Sequence, residues 1–344
     1  MKKHKICKIL LVILAIFLCV AFYELLGICV AYKKQPEVSN TTKKETKNGS
    51  WNECSENTER AVIIEKNPEA LLQRVRLIKN AKKEIILSTF AFQSDESGKL
   101  ILGALHDAAD RGVHIRLLVD GMESWIDMEG NPYFYGLSSH ENVEIKLYNK
   151  ANPLKPWKMM GRMHDKYLIA DGKRYILGGR NTYNYFLGDF PGHKNYDRDV
   201  LVVCDEPEKE NSVNQLLEYF ETIWEQEDSG YFHDNKKLAN RKSVKNAVLE
   251  LQNGYQKYFE ENKERICDTD YTDETFETEK IALVSNPIHT GSKEPVVWYQ
   301  LGELMKNAKN RVKIHTPYII CNDMMYNTWE EIAENVSDFS IMTN

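Results

Sequence analysis

Hydrophobic and polar positions change their period several times along the chain, and each change marks an element. The first is a continuous apolar run from Ile9 to Tyr32, interrupted only by Glu24 and flanked by lysines on both sides. At ~1.5 Å per helical residue such a run crosses a ~30 Å hydrocarbon core. It is too long for the apolar region of a cleaved signal peptide and lacks a small-residue cleavage site, so an uncleaved anchor over residues 1–34 is expected. Residues 35–60 are polar and rich in Asn, Thr, Ser and Lys, and read as a linker. From residue 61 helical and extended periods alternate. Asn67-Pro68 reads as a helix start, a capping side chain followed by Pro in the first turn, with Ala70, Leu71, Val75 and Ile78 as the apolar stripe. "EIILSTFAF" (84–92) is a buried strand. "KLILGALHDAADRG" is a helix closed by Gly112, and "VHIRLLVDG" and "VEIKLY" are further strands. Strand, helix, strand in this order implies a parallel βαβ unit and an α/β fold.

The same order returns near the C-terminus. "LIKNAKKEIILST" (77–89) matches "LMKNAKNRVKIHT" (304–316), each copy a helix end running into a strand and followed by another helix and strand. The pattern predicts a duplication, with a first domain over 61–270 and the start of a second over 271–344.

Composition narrows the class. With 42% hydrophobic and 28% charged residues in 344, a sizeable core and about two domains are expected. The net charge of −6 weighs against a dedicated nucleic-acid binder, so nucleic acid is not the expected partner. Lys2, Lys3, Lys5 and Lys8 favour a cytoplasmic N-terminus and an extracytoplasmic domain, against Lys33, Lys34, Lys43 and Lys44 on the other side. The cysteines outside the anchor are scattered and show no C-x-x-C pairing; a Cys54–Cys267 disulfide is one arrangement open to them. No acidic or His/Cys cluster asks for a metal, and no cofactor is expected.

Candidate chemistry concentrates in "GRMHDKYLIADGKRYILGGRN" (161–181), which reads as two strands joined by an Asp-Gly hairpin turn. Alternation along a strand puts His164, Lys166, Leu168 and Ala170 on one face. A neutral imidazole is a nucleophile or proton carrier near pH 7. A neighbouring ammonium stabilises phosphoryl oxygens and disfavours the imidazolium. A surface His-Lys pair on an edge strand is the plain alternative. His106, His114, His140 and His193 have no comparable setting.

H-x-K-x-x-x-x-D, formed by His164, Lys166 and Asp171 and followed by Gly178-Gly179-Arg180-Asn181, resembles the signature of the phospholipase D superfamily. With "YDRDVLVV" and "FETIWEQ" the resemblance extends to bacterial cardiolipin synthases of the GGRN type, from about Asn67 onward. It implies a phospholipase D-like mixed sheet flanked by helices, and a catalytic set of His164, Lys166 and Asp171. His164 would form a phosphohistidine, and Lys166 and Asn181 would hold phosphoryl oxygens. Asp197 would orient His164, with Asp199 as competitor. Gly179 stands where many relatives carry serine. Asp171, at the turn, is expected to support the hairpin more than the substrate. Arg162 and Arg180 are further candidates for phosphate contacts, and "NPLKPWKMMG" (152–161) for lipid contacts.

Family members pair two such motifs, and the repeat offset places the partner of His164 near position ~390. His315 has no lysine at the right spacing. The chain is therefore expected to be truncated before its second motif, or to complete its site as a homodimer, although an unfinished sheet edge argues against a symmetric one. The resemblance implies a membrane-anchored phosphatidyltransferase of the cell membrane, with a phospholipid such as phosphatidylglycerol as substrate. A family nuclease or phosphodiesterase, and a catalytically incomplete lipid-binding fragment, are the alternatives.

Overall fold

The computed structural model describes residues 2–49, 59–233 and 235–343. Compactness divides the chain into two units, one of Met1–Ala31 with Cys54–Ile281, the other of Tyr32–Glu53 with Ala282–Asn344. The Cys54–Cys267 pairing falls outside the described residues.

The apolar run forms α1 (Lys2–Tyr32). Its segment Lys5–Tyr32 is long and apolar enough to cross a membrane; an 18-residue window within it has a mean hydropathy of 2.9, with none of that window buried in protein.

After α2 (Asn40–Asn48) of the second unit, the chain continues in the first unit as β1 (Arg60–Ile64), α3 (Asn67–Asn80), β2 (Glu84–Thr89), α4 (Glu96–Asp110) and β3 (His114–Asp120). Then come α5 (Glu123–Asp127), α6 (Pro132–Ser138), β4 (Val143–Tyr148), β5 (Tyr167–Ala170), β6 (Arg174–Gly178) and β7 (Asp199–Val203). The unit closes with α7 (Ser212–Trp224), β8 (Ser229–Tyr231), α8 (Lys242–Glu261), α9 (Lys263–Cys267) and β9 (Phe276–Glu277). The strands make one mixed sheet in the order β8-β4-β3-β2-β5-β6-β7-β1-β9. β2, β3 and β4 run parallel, as helical crossovers between them require, and β5, β6 and β7 are antiparallel, as hairpin and short-loop connections allow. This is the expected α/β mixed sheet flanked by helices. β5 is central and all four of its residues are buried, as in a strand covered on both faces.

Two local expectations are corrected. Asn67 opens α3 but does not cap it: Lys66 holds the N-cap position without a side-chain bond. The Asn67 amide instead donates to the Tyr185 and Asn195 carbonyls, and its Oδ1 accepts from Arg180. Tertiary partners have taken the side chain from its local role. In addition, β5 starts at Tyr167, not at Arg162. Its neighbour β2 ends at Thr89, the last pair being Ser88 with Tyr167. His164 and Lys166 thus lie in the extended entry to the strand.

In the second unit the polar stretch is not a plain linker. It holds α2, whose N-cap Ser39 accepts from the Thr42 amide. Glu294 receives hydrogen bonds from the Ser39 amide and the Thr42 hydroxyl. The rest is α10 (Val296–Lys306), β10 (Arg311–His315), α11 (Asp323–Asn335) and β11 (Asp338–Met342), with β10 and β11 parallel. The order and pairing repeat those of α3, β2, α4 and β3.

Candidate active site

The hairpin that carries the motif is set by its turn. Asp171 and Gly172 have φ of 55° and 64°, the paired left-handed conformations of a tight two-residue connection. The Asp171 carboxylate accepts the backbone amides of Lys82, Lys83 and Glu84 at 2.7–3.1 Å. It thereby ties the hairpin to the start of β2. Asp171 lies at the opposite end of β5 from His164 and Lys166, so the structure gives it an anchoring position and separates it from these two residues.

At the other end of β5 the chain is held by Asp120, the fully buried last residue of β3. One carboxylate oxygen takes the Arg162 guanidinium at 3.0 Å and the Met122 amide at 2.9 Å. The other takes the Met163 amide at 3.0 Å. Arg162 also donates to the Asn149 carbonyl. The Asn149 side chain in turn ties the Lys158 and Gly161 carbonyls. Burial raises the Asp120 carboxyl pKa, and Arg162 and the amides oppose that. Arg162, expected to contact phosphate, is thus committed to Asp120 and positions the segment that leads into His164.

His164 is exposed and its ring packs against Phe90 at 4.7 Å, centroid to centroid, with the ring planes tilted by 55°. Among the described residues its imidazole has no hydrogen-bond partner. The protein surrounding the ring, and then the Lys166 charge, hold its pKa below the ordinary value. Lys166 is only 5% exposed. Its Nζ donates to the His164 carbonyl at 2.6 Å and lies 5.5 Å from the Phe90 ring. Burial pushes the ammonium down to about 8, against the pull of the Asp165 and Asp197 carboxylates. No carboxylate bonds to it among the described residues.

The Gly178 amide donates to the Lys166 carbonyl, which brings the Gly-Gly-Arg-Asn stretch alongside. Asn181 is buried, its Oδ1 accepting from the Ala91 amide. A Cβ on Gly179 would lie 2.1 Å from an Asp197 carboxylate oxygen. With this aspartate in place, serine does not fit there without displacement. Asp197 therefore sits against Gly179 and exerts its charge on Lys166, but it does not hydrogen-bond His164 in this arrangement. Arg180 and Asp199 are elsewhere. Asp199 is buried and bonded to Arg74 at 2.9 Å and to Arg180 at 3.3 Å. Arg180 also donates to Asn67 and to the Ile64 and Glu65 carbonyls. This is a buried framework, so neither Arg180 nor Asp199 is available to substrate. Phe90 and Asp120 were not anticipated: one is an aromatic at a strand end, the other an aspartate in a "VDG" strand end, and nothing local distinguishes either.

Residues 74–224 match the family described as cardiolipin synthase, phospholipase D-like domain. Over this segment the chain is similar to the phospholipase D-like domain of that family. An uncharacterized protein of Helicobacter pylori is 28% identical over 312 residues, 83% of this chain and 59% of that protein. Cardiolipin synthase C of Escherichia coli is 29% identical over 171 residues, 46% of this chain and 34% of that one. The chain thus spans well under two thirds of the length of these relatives. Among solved structures, phosphatidylserine synthase of Haemophilus influenzae has the same fold, with a TM-score of 0.56 at 14% identity, over 88% of this chain and 66% of its own. The family match includes β2 through α7 and hence every motif residue from His164 to Asp199.

Proposed function

We propose that this chain is a membrane-anchored phosphatidyltransferase, similar to the cardiolipin synthases, that works through a phosphohistidine. The observation that carries the reading is Lys166: a nearly buried cation, with no carboxylate bonded to it among the described residues, beside an imidazole held neutral. A phosphodiester oxygen is the partner that such a cation lacks. The imidazole nitrogen of His164 attacks phosphorus. A P–N bond forms as the P–O bond to the leaving alcohol breaks, and the alkoxide takes a proton. A second alcohol, or water, then attacks the phosphohistidine, gives up its proton and restores neutral His164. Lys166 and the Asn181 amide stabilise the nonbridging oxygens in both steps. The proton for the leaving alcohol comes from a second acid, to which the incoming alcohol returns its own proton; a second copy of this chain is our candidate source of that acid.

The test uses the full chain in detergent micelles with phosphatidylglycerol labelled on phosphorus. Label is expected in cardiolipin or phosphatidic acid, and as an acid-labile, alkali-stable adduct on the protein. Both are expected to vanish in His164→Ala. Turnover that survives the substitution, or none from the folded native chain, would overturn the reading.

A further inference from the structure

Five large apolar side chains stand exposed on two loops that Asp120 holds together. Trp125 and Ile126 on α5 are 69% and 67% exposed, and Leu154, Trp157 and Met160 ahead of the motif are 77%, 46% and 57% exposed. Asp120 accepts from Met122 at the start of the first loop and from Met163 at the end of the second. The five residues therefore border the segment that delivers His164. Solvent-exposed single apolar residues are common, but a cluster of this size on adjacent loops marks a binding surface. Lys155 and Lys158 lie within the second loop.

The same loop touches α1. The Tyr23 hydroxyl donates to the Leu154 carbonyl at 3.0 Å, and a Cβ on Gly27 would lie 2.5 Å from Pro156. The apolar segment of α1 has 28 residues. At ~1.5 Å each it exceeds a ~30 Å hydrocarbon core by roughly 12 Å. A helix of this length tilts or lets one end emerge, and Glu24 with the tyrosines at 23 and 32 and the lysines at 33 and 34 suits the C-terminal end for emergence. The contact with Leu154 and Pro156 is made by that emerging part.

We propose that the rim formed by Trp125, Ile126, Leu154, Trp157 and Met160 rests on the surface of the bilayer that α1 spans, so that the His164 site opens onto lipid headgroups in place. This deepens the proposed function by naming how the site meets its substrate. Tryptophans belong at such an interface, with the ring among acyl ends and the N–H in the wet layer. The occupant is the bilayer and not a protein, because the rim is continuous with the helix that enters the bilayer.

The full chain, with Trp51→Phe to remove a tryptophan from the preceding segment, is reconstituted in vesicles of phosphatidylglycerol and phosphatidylethanolamine. Acyl chains are brominated near the headgroup, and tryptophan emission is compared with unbrominated vesicles. The quenched part of the emission is expected to fall to roughly half or less in the Trp125→Phe, Trp157→Phe double variant, since these two would supply the interfacial signal. Quenching that is unchanged in the double variant would overturn the docking. The readout needs no turnover: quenching that depends on both tryptophans supports the docking even if phosphatidyl transfer is absent, and that second result would fall on the proposed function alone.

Discussion

His164 and Lys166 differ from any other His-Lys pair through burial of the lysine. Keeping an ammonium nearly buried with only a carbonyl to bond costs stability, and the cost is sign-specific. The folded-state pKa of Lys166 is about 8 against an ordinary 10.5. Its charge therefore destabilises the fold below about pH 8, and that loss fades as pH rises toward 10.5. Lys166→Met is expected to raise unfolding stability near pH 7 by ~1–2 kcal/mol, less above pH 9, while abolishing transfer. Urea melts at the two pH values check this. In the same terms, kcat/KM should rise with pH through the lowered pKa of His164, below 6.5, and fall as pH passes about 8. Asp197 pulls the Lys166 pKa upward, so Asp197→Asn should move the alkaline limb to lower pH. An unmoved limb would remove Asp197 from the electrostatics of the site. These charges were partly legible beforehand: the motif spacing named His164 and Lys166, and Asp197 was singled out, but for a contact with His164 that the fold does not make. Its effect instead passes through Lys166, a relation that depends on Gly179 admitting the carboxylate at van der Waals range.

The elements matter as fixed points for one short segment. The ladder of β5 begins at Tyr167, so the chain from Gly161 to Lys166 is held by side-chain and single backbone bonds, among which Asp120 at the end of β3 fixes Arg162 and Met163. Asp120→Asn keeps an oxygen for one amide but loses the charge that holds Arg162. Removing one partner of a buried pair costs ~3–5 kcal/mol when nothing replaces it. Because this pair is at the segment's edge and Arg162 keeps the Asn149 carbonyl, a cost near the low end is expected. The sharper expectation is kinetic: kcat should fall with KM for lipid little changed, and limited proteolysis between 150 and 163 should quicken. Unchanged proteolysis would show that Asp120 does not hold this segment. The periodicity of β3 was readable and "VDG" was seen as its end, but which strand end meets which loop is set by sheet order, and β3 lies two strands from β5.

At the scale of the whole molecule, two buried arginines converge on one carboxylate, joining α3 to β7 and to the residues after β6. Asp199→Asn would leave Arg74 and Arg180 without their counter-charge and is expected to cost ~3–5 kcal/mol by urea unfolding. The surviving folded fraction should retain its pH profile, which distinguishes this aspartate from Asp197. The two units also differ in how much core they hold. The first buries apolar residues from every strand between β1 and β7, whereas the second centres on Val312, Ile332 and Val336 beneath two strands. Amides of β10 and β11 are thus expected to exchange with solvent orders of magnitude faster than those of β2 and β3, since local opening follows local burial. Equal protection would mean that the small core is reinforced by other contacts.

Several features of this protein were determined by sequence alone because they are local. A long apolar run makes a long apolar helix. Periods of 3.6 and 2 laid out α3, β2, α4, β3 and β4, though not the short α5 and α6, with Val143–Tyr148 recovered to the residue. Asp-Gly forced the hairpin, and the H-x-K spacing with Gly-Gly-Arg-Asn named the family. Only the tertiary structure decided which polar residues are free to act. Asp171, Arg162, Arg180 and Asp199 carry the charges of a phosphate site in the sequence, yet each is consumed by a partner from a distant segment: the amides of β2, Asp120, the α3 entry and Arg74. Among the described residues Lys166 bonds only to a backbone carbonyl, which is what makes it available. A residue's chemistry is set by its type, but its availability depends on which buried partners it satisfies, and those partners are brought by the order of strands in the sheet.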